Sequence, residues 1–263
     1  VHPKTEVVRE SHNVGEAMED LRRLAEERLG KTDLDSGLDY GTIAISKYRK
    51  SDGTNSWLVT IPGTDGKHDS PFGWPQNVEL MSSDSKQRME ADSARMVQEA
   101  MKQAGIKSNE PVALIGHSQG GIVAATIASD LKDDYDIEHV VTAGSPVANH
   151  PIPEKTWVTS VEMDDELVAA LDGAANPSSD HWLTVRGTAS KSSSSQESTF
   201  AGTPVTDAPD NKEITHWLKY HQAAYQNATD MGSTAVNTHE RHFDEIIDGD
   251  LQEVMYFEGR MSK

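Results

Sequence analysis

Apolar residues recur at helical spacing near the start of the chain. Val14, Met18, Leu21, Ala25 and Leu29 share one face, opposite Glu16, Glu19, Arg22, Arg23 and Glu26. That pattern predicts an amphipathic helix over 14–29, closed by Gly30. The period then shortens. Tyr40 to Tyr48 alternates as a strand does, Ser51-Asp52-Gly53-Thr54 supplies a hairpin-type turn, and Trp57 to Ile61 is the returning strand. A second helical pattern runs from Ser85 to Ala104, with Met89, Met96, Val97, Ala100 and Met101 inward, and Asn109-Glu110-Pro111 breaks it. Short apolar runs at Val112–Ile115, His139–Ala143, Trp157–Val161 and Trp182–Arg186 read as further strands. Helical spacing resumes at Ile214 with Trp217, Leu218, Tyr220, His221 and Tyr225, and residues 241–257 predict a short helix and an edge strand. Between these, residues 187–210 are rich in Ser, Thr, Pro and Gly around Ser192–Ser195, the composition of a flexible excursion. Short strands alternating with helices of ten or more residues imply an α/β fold with a doubly wound, mostly parallel sheet. At 263 residues the chain fits one such domain over 1–263.

Composition narrows the classes. Hydrophobic residues make up 35 %, toward the low side but enough for a core. No apolar run approaches the ~20 residues that span a bilayer, so stable membrane insertion is not expected. Against 24 Lys and Arg stand 43 Asp and Glu, a net charge of −19 that repels nucleic acid and anionic lipid. Asp130, Asp133, Asp134 and Asp136 read as solvated charges, and no metal site is called for. Cysteine is absent, which excludes disulfides and thiol catalysis. The chain begins at Val1, so a trimmed upstream segment is compatible with it, and a cytoplasmic and a secreted location both stay open. The oligomeric state has no signal here.

The chemistry concentrates at Gly116-His117-Ser118-Gln119-Gly120, between an apolar strand and a helix rich in small residues. G-x-S-x-G between a strand and a helix is the pattern of a nucleophile elbow, which lifts the serine hydroxyl above the sheet edge. The helix that starts at Gln119 aims its unpaired N–H groups and positive dipole end at whatever forms on Ser118. An oxyanion is what such a place stabilises. His117 is expected to pack beneath the elbow.

A serine hydroxyl needs a base, and the base needs an orienting carboxylate. In this chain order the acid follows a strand downstream of Ser118, and the histidine comes later. The strand ending at Val161 delivers Asp164, Asp165 and Glu166 to the sheet edge, with Asp172 further on. Asp165 is preferred, and Glu166 and Asp164 remain open as alternatives. His216, His221, His239 and His242 follow the acid; position after the Ser-rich stretch favours His221, then His216. For the oxyanion the backbone N–H of Gln119 is one donor, and that of Thr64, in Pro62-Gly63-Thr64-Asp65-Gly66, is the other.

Leu58–Thr64, Gly116–Gly121, Val140–Pro146 and Leu167–Gly173 together resemble the α/β-hydrolase superfamily, in a lipase/esterase-like branch near class-3-type lipases and bacterial relatives. They are similar to its oxyanion strand, its G-H-S-x-G-G elbow, its "G-S-P" strand end and its acid-bearing segment. One departure is Ala169, where the branch usually has proline after the acid's valine. The resemblance implies a serine hydrolase acting on a small-molecule carboxylic ester through an acyl-enzyme, with Ser118, His221 and Asp165 as triad, and with no cofactor. A thioesterase or acyltransferase would use the same machinery, and a hydrolase-like binding scaffold would retain the fold without the activity. Phe72 and Trp74, in the loop after Thr64, would line the acyl pocket or anchor that loop.

Overall fold

The computed structural model describes residues 2–28, 36–38, 41–63, 91–163, 175–187, 189–191, 198–200, 203–205 and 218–259. Within them the elements follow the predicted alternation. Helix α1 (Val14–Arg28) precedes the hairpin β1 (Thr42–Arg49) and β2 (Asn55–Ile61). Helix α2 (Asp92–Ala104), β3 (Pro111–His117), α3 (Gln119–Asp130), β4 (Asp136–Ala143), β5 (Trp157–Met163) and β6 (Trp182–Gly187) then alternate. The β1–β2 turn is made as its residues demand: Gly53 takes φ +83°, its N–H donates to the Lys50 carbonyl at 2.9 Å, and the Asp52 carboxylate accepts the Thr54 N–H at 2.9 Å. After β6 come three short strands, β7 (Ala189–Lys191), β8 (Ser198–Phe200) and β9 (Thr203–Val205), which pair antiparallel as a separate sheet. The stretch expected as an excursion thus carries strand pairing, and strand formers such as Thr199, Phe200, Thr203 and Val205 lie in it.

The chain ends in α4 (Leu218–Asp230), α5 (Thr234–Ile246) and β10 (Asp250–Glu258). The main sheet has the order β10-β1-β2-β3-β4-β5-β6. Strands β2 to β6 run parallel, while β1 is antiparallel to both β2 and β10. It is a mostly parallel α/β sheet with helices on both faces. One face carries Ile43, Ile45, Val59, Ile61, Val112, Leu114 and Val140 against α2 and α3. The other carries Tyr48, Leu58, Ala113, Ile115, Val141, Val161 and Met163 against α1, α4 and α5. Strict alternation along each strand sorts these two sets.

Helix α5 begins seven residues before the predicted helix start at Arg241. Its buried residues are Val236, His239, Phe243 and Ile246, so one position of the inward stripe is a histidine. A hydrophobic pattern alone therefore starts too late. Among the described residues no helix is long and apolar enough to cross a membrane.

Candidate active site

Ser118 sits at the junction of β3 and α3, with φ 56° and ψ −122°. It is the one non-glycine residue with positive φ among the described residues. A side chain in that region costs of order 1–3 kcal/mol, and it persists where the surroundings over-determine it. Here they do. The Ser118 N–H donates to the Ala143 carbonyl at 2.9 Å, and its carbonyl accepts the N–H of Gly121 at 3.0 Å and of Ile122 at 3.2 Å.

The glycines around the turn are required by contact. A Cβ on Gly116 would stand 2.3 Å from the Gly120 backbone, and one on Gly120 would stand 2.1 Å from the Ile61 carbonyl oxygen. Those distances let β2, β3 and α3 close on one another at the strand ends. Gly63, just past β2, comes so near that its missing Cβ would lie 3.0 Å from Ser118 Cβ. The chain therefore passes the nucleophile position as it enters Thr64, which lies outside the described residues together with Phe72 and Trp74. Gln119 is fully buried and is the first residue of α3, immediately after Ser118 in the chain.

His221 lies in the first turn of α4 with no exposed surface, among Leu218, Tyr220, Ala224 and Tyr225, on the face shared with Val161 and Met163. Its ring meets that of His117 edge-on, centroids 5.8 Å apart. His117 is thus not tucked beneath the elbow: it is partly exposed and touches the candidate base. Position decides this: His117 is the last residue of β3 and alternates in phase with Ala113 and Ile115, on the face that α4 covers. The structure brings Gly63, His117, Ser118, Gln119 and His221 to the carboxyl end of the parallel strands, where open α/β sheets place their sites. Asp164, Asp165, Glu166, Asp172 and His216 lie outside the described residues. Near the end of β5, Glu162 accepts a hydrogen bond from Asn176 Nδ2 at 2.7 Å, with Arg186 3.6 Å away.

A family model described as PGAP1-like alpha/beta domain matches residues 77–199. The match covers just under half of the 263 residues, and it includes the elbow, β3 to β6 and the candidate acids. Over that stretch the chain is similar to a family of the α/β-hydrolase type, which agrees with the coarser part of the resemblance read from the sequence. No curated protein matches the chain.

His239 and His242 are in a different place. They meet His139 at the opposite, amino-terminal end of the parallel strands, so neither stands beside Ser118. His239 Nε2–H donates to the Asp180 carbonyl at 3.0 Å. Its Nδ1 is then the acceptor for the Thr159 hydroxyl at 3.3 Å. Thr159 accepts from His139 Nε2–H at 2.8 Å, which leaves His139 Nδ1 to accept from His242 Nδ1–H at 3.0 Å. One terminal carbonyl thereby fixes three tautomers, and the chain ends at the bare His242 Nε2, 3.9 Å from the Glu138 carboxylate. Trp157 is stacked between His181 and His242, at 4.5 and 4.2 Å. Burial holds His139 well below the usual histidine range, with the neighbouring His242 and His239 acting the same way. The sequence carried two signals for this cluster: His139 alternates in phase with the core residues Val141 and Ala143, and His239 and His242 are three apart on one helix.

Proposed function

We propose that the protein is a serine hydrolase that cleaves small-molecule carboxylic esters, with Ser118, His221 and Asp165 as its triad. The observation that carries this reading is the backbone of Ser118. A strained, glycine-packed turn at the head of a buried helix costs stability, and placing a hydroxyl at the carboxyl end of the parallel strands is what such a turn achieves. In this mechanism Ser118 Oγ attacks the acyl carbonyl while an imidazole nitrogen of His221 takes its proton. The tetrahedral oxyanion is held by the backbone N–H groups of Gln119 and Thr64, and the dipole of α3 adds to their field. Collapse expels the alcohol, which receives the proton from His221. Water then repeats the sequence on the acyl-enzyme. Asp165 holds the other imidazole N–H and with it the tautomer, with Glu166 and Asp164 as the competing positions. Proton transfer and acyl transfer of this kind need no metal or organic cofactor. Within the superfamily the "G-S-P" strand end and the G-T oxyanion strand support a place near the class-3-type lipases.

Fluorophosphonate labelling tests the proposal. The wild-type protein is expected to label once, at Ser118, and Ser118→Ala to be inert while melting like the wild type. Hydrolysis of p-nitrophenyl esters of increasing acyl length then places the substrate. A wild-type protein that neither labels nor hydrolyses any ester of the series refutes the reading and leaves a binding scaffold.

A further inference from the structure

Ser145 follows β4, 27 residues beyond Ser118, and only 1 % of its surface is exposed. Its hydroxyl donates to the Ser118 carbonyl at 2.8 Å, with the Ala143 carbonyl 3.2 Å away. Ala143 is the residue whose carbonyl accepts the Ser118 N–H. The nucleophile candidate is therefore tied to the end of β4 on both sides of its α-carbon, and Ser145 makes the tie on the carbonyl side. That side matters because ψ of a residue sets where its carbonyl points. The ψ of −122° at Ser118 is held by the donors that reach this one oxygen.

The surroundings of Ser145 are arranged to deliver the bond. Gly144 takes φ 61° and donates its N–H to the Val161 carbonyl at 3.0 Å, which turns the chain back toward the elbow. Pro146 restricts Ser145 to extended backbone. On α3, a Cβ at Gly121 would stand 2.0 Å from Ser145 Oγ, so the second glycine after Gln119 is the space the hydroxyl occupies.

We infer that Ser145 is a positioning residue for the nucleophile: its hydroxyl grips the Ser118 carbonyl and holds the strained turn in the conformation that presents Ser118 Oγ. The inference rests on the serine-hydrolase reading, and it assigns a purpose to the serine of Gly144-Ser145-Pro146 that packing alone does not require. Without the grip, Ser118 is free to relax toward ordinary φ and ψ, and its hydroxyl leaves the attack position in most molecules.

The test is the second-order rate of fluorophosphonate labelling, read beside the melting temperature. Ser145→Ala is expected to label at least tenfold more slowly. Thr156→Val is the matched control, because Thr156 also donates a buried hydroxyl hydrogen bond to a backbone carbonyl, that of Ile137 at 2.6 Å, but at the far end of the sheet. It should lower the melting temperature by a similar amount and leave the labelling rate within twofold of wild type. Ser145→Cys, similar in shape with a weaker donor, should fall between wild type and Ser145→Ala. A wild-type protein that does not label defeats the hydrolase reading itself. A wild type that labels, with Ser145→Ala within twofold of it, overturns the positioning role. Should Ser145→Ala fail to fold, Ser145→Cys decides alone, and a wild-type rate for it overturns the inference.

Discussion

Replacing His242 by asparagine should make the fold less sensitive to acid, by an amount the histidine cluster sets. Burial, reinforced by the neighbouring His239 and His181, lowers His242 from 6.5 to about 4. Its side chain is 20 % exposed, so the shift is not erased by solvent. A histidine held neutral in the fold and free to charge when unfolded favours the unfolded state in acid. The stability it leaves intact above pH 6.5 is lost as the pH falls toward 4. At pH 5 an unfolded histidine is nearly all charged, while His242 in the fold is about one-tenth charged, a difference worth about 2 kcal/mol. His139 and His239, also lowered, act in the same direction. The groups around His242 are Glu138 at 3.9 Å, His139, His239, His181 and the stacked Trp157. Opposing them, Asp244 on the same helix is raised to about 7 by burial and by the charge of Glu240. A carboxyl held neutral in the fold supplies stability that grows as the pH falls below 7, so the wild-type profile alone sums two opposite trends. The variant isolates one. His242→Asn keeps a donor for His139 Nδ1 but has nothing to titrate. Urea unfolding followed by tryptophan fluorescence, on both proteins at pH 7 and pH 5, should show the variant gaining about 2 kcal/mol on wild type between the two. A change in that difference below about 0.5 kcal/mol would mean that His242 titrates normally and the hydrogen-bonded chain is not closed.

Ser118→Gly should be more stable than Ser118→Ala by about 1 kcal/mol, because release of a strain of 1–3 kcal/mol outweighs the backbone entropy of glycine; a less stable Gly variant in urea unfolding would mean that the turn is not strained. Gly120→Ala should cost more than about 4 kcal/mol or prevent folding, since its Cβ would meet the backbone carbonyls of Ile61 and Pro62 at 2.1 and 2.5 Å. Gly53→Ala, with nothing within 4 Å but φ +83°, should cost on the order of 1 kcal/mol, and equal losses at the two sites would refute the contact argument. Among the acids, Asp165→Asn should lower ester turnover on the order of 10⁴-fold while Asp164→Asn and Glu166→Gln stay mild; a crippled Glu166→Gln would make the acid a glutamate, and three mild variants would direct attention to Asp172.

The sequence by itself determined the parts of this protein that local chemistry dictates. A glycine-flanked serine between an apolar strand and a small-residue helix has few ways to fold, and Ser118 is found at the strained turn that pattern requires. Periodicity placed α1, β1 and β2 to within two residues at the ends that are described, and it sorted the strands into a mostly parallel sheet, because alternation and helical spacing are properties of neighbouring residues. What only the tertiary structure decided are pairings between residues far apart in the chain. Nothing near Ser145 announces that its hydroxyl will meet the Ser118 carbonyl, and nothing near His139 announces His242, 103 residues on. Five histidines follow the candidate acids: His181, His216, His221, His239 and His242. Sheet order alone sends His239 and His242 to the amino-terminal end of the strands and seats His221 against His117. The same order puts β10 beside β1, antiparallel at the sheet edge, a neighbour that no local pattern specifies. Such choices depend on which surfaces remain to be covered once every other element has been placed, and that is a sum over the whole fold.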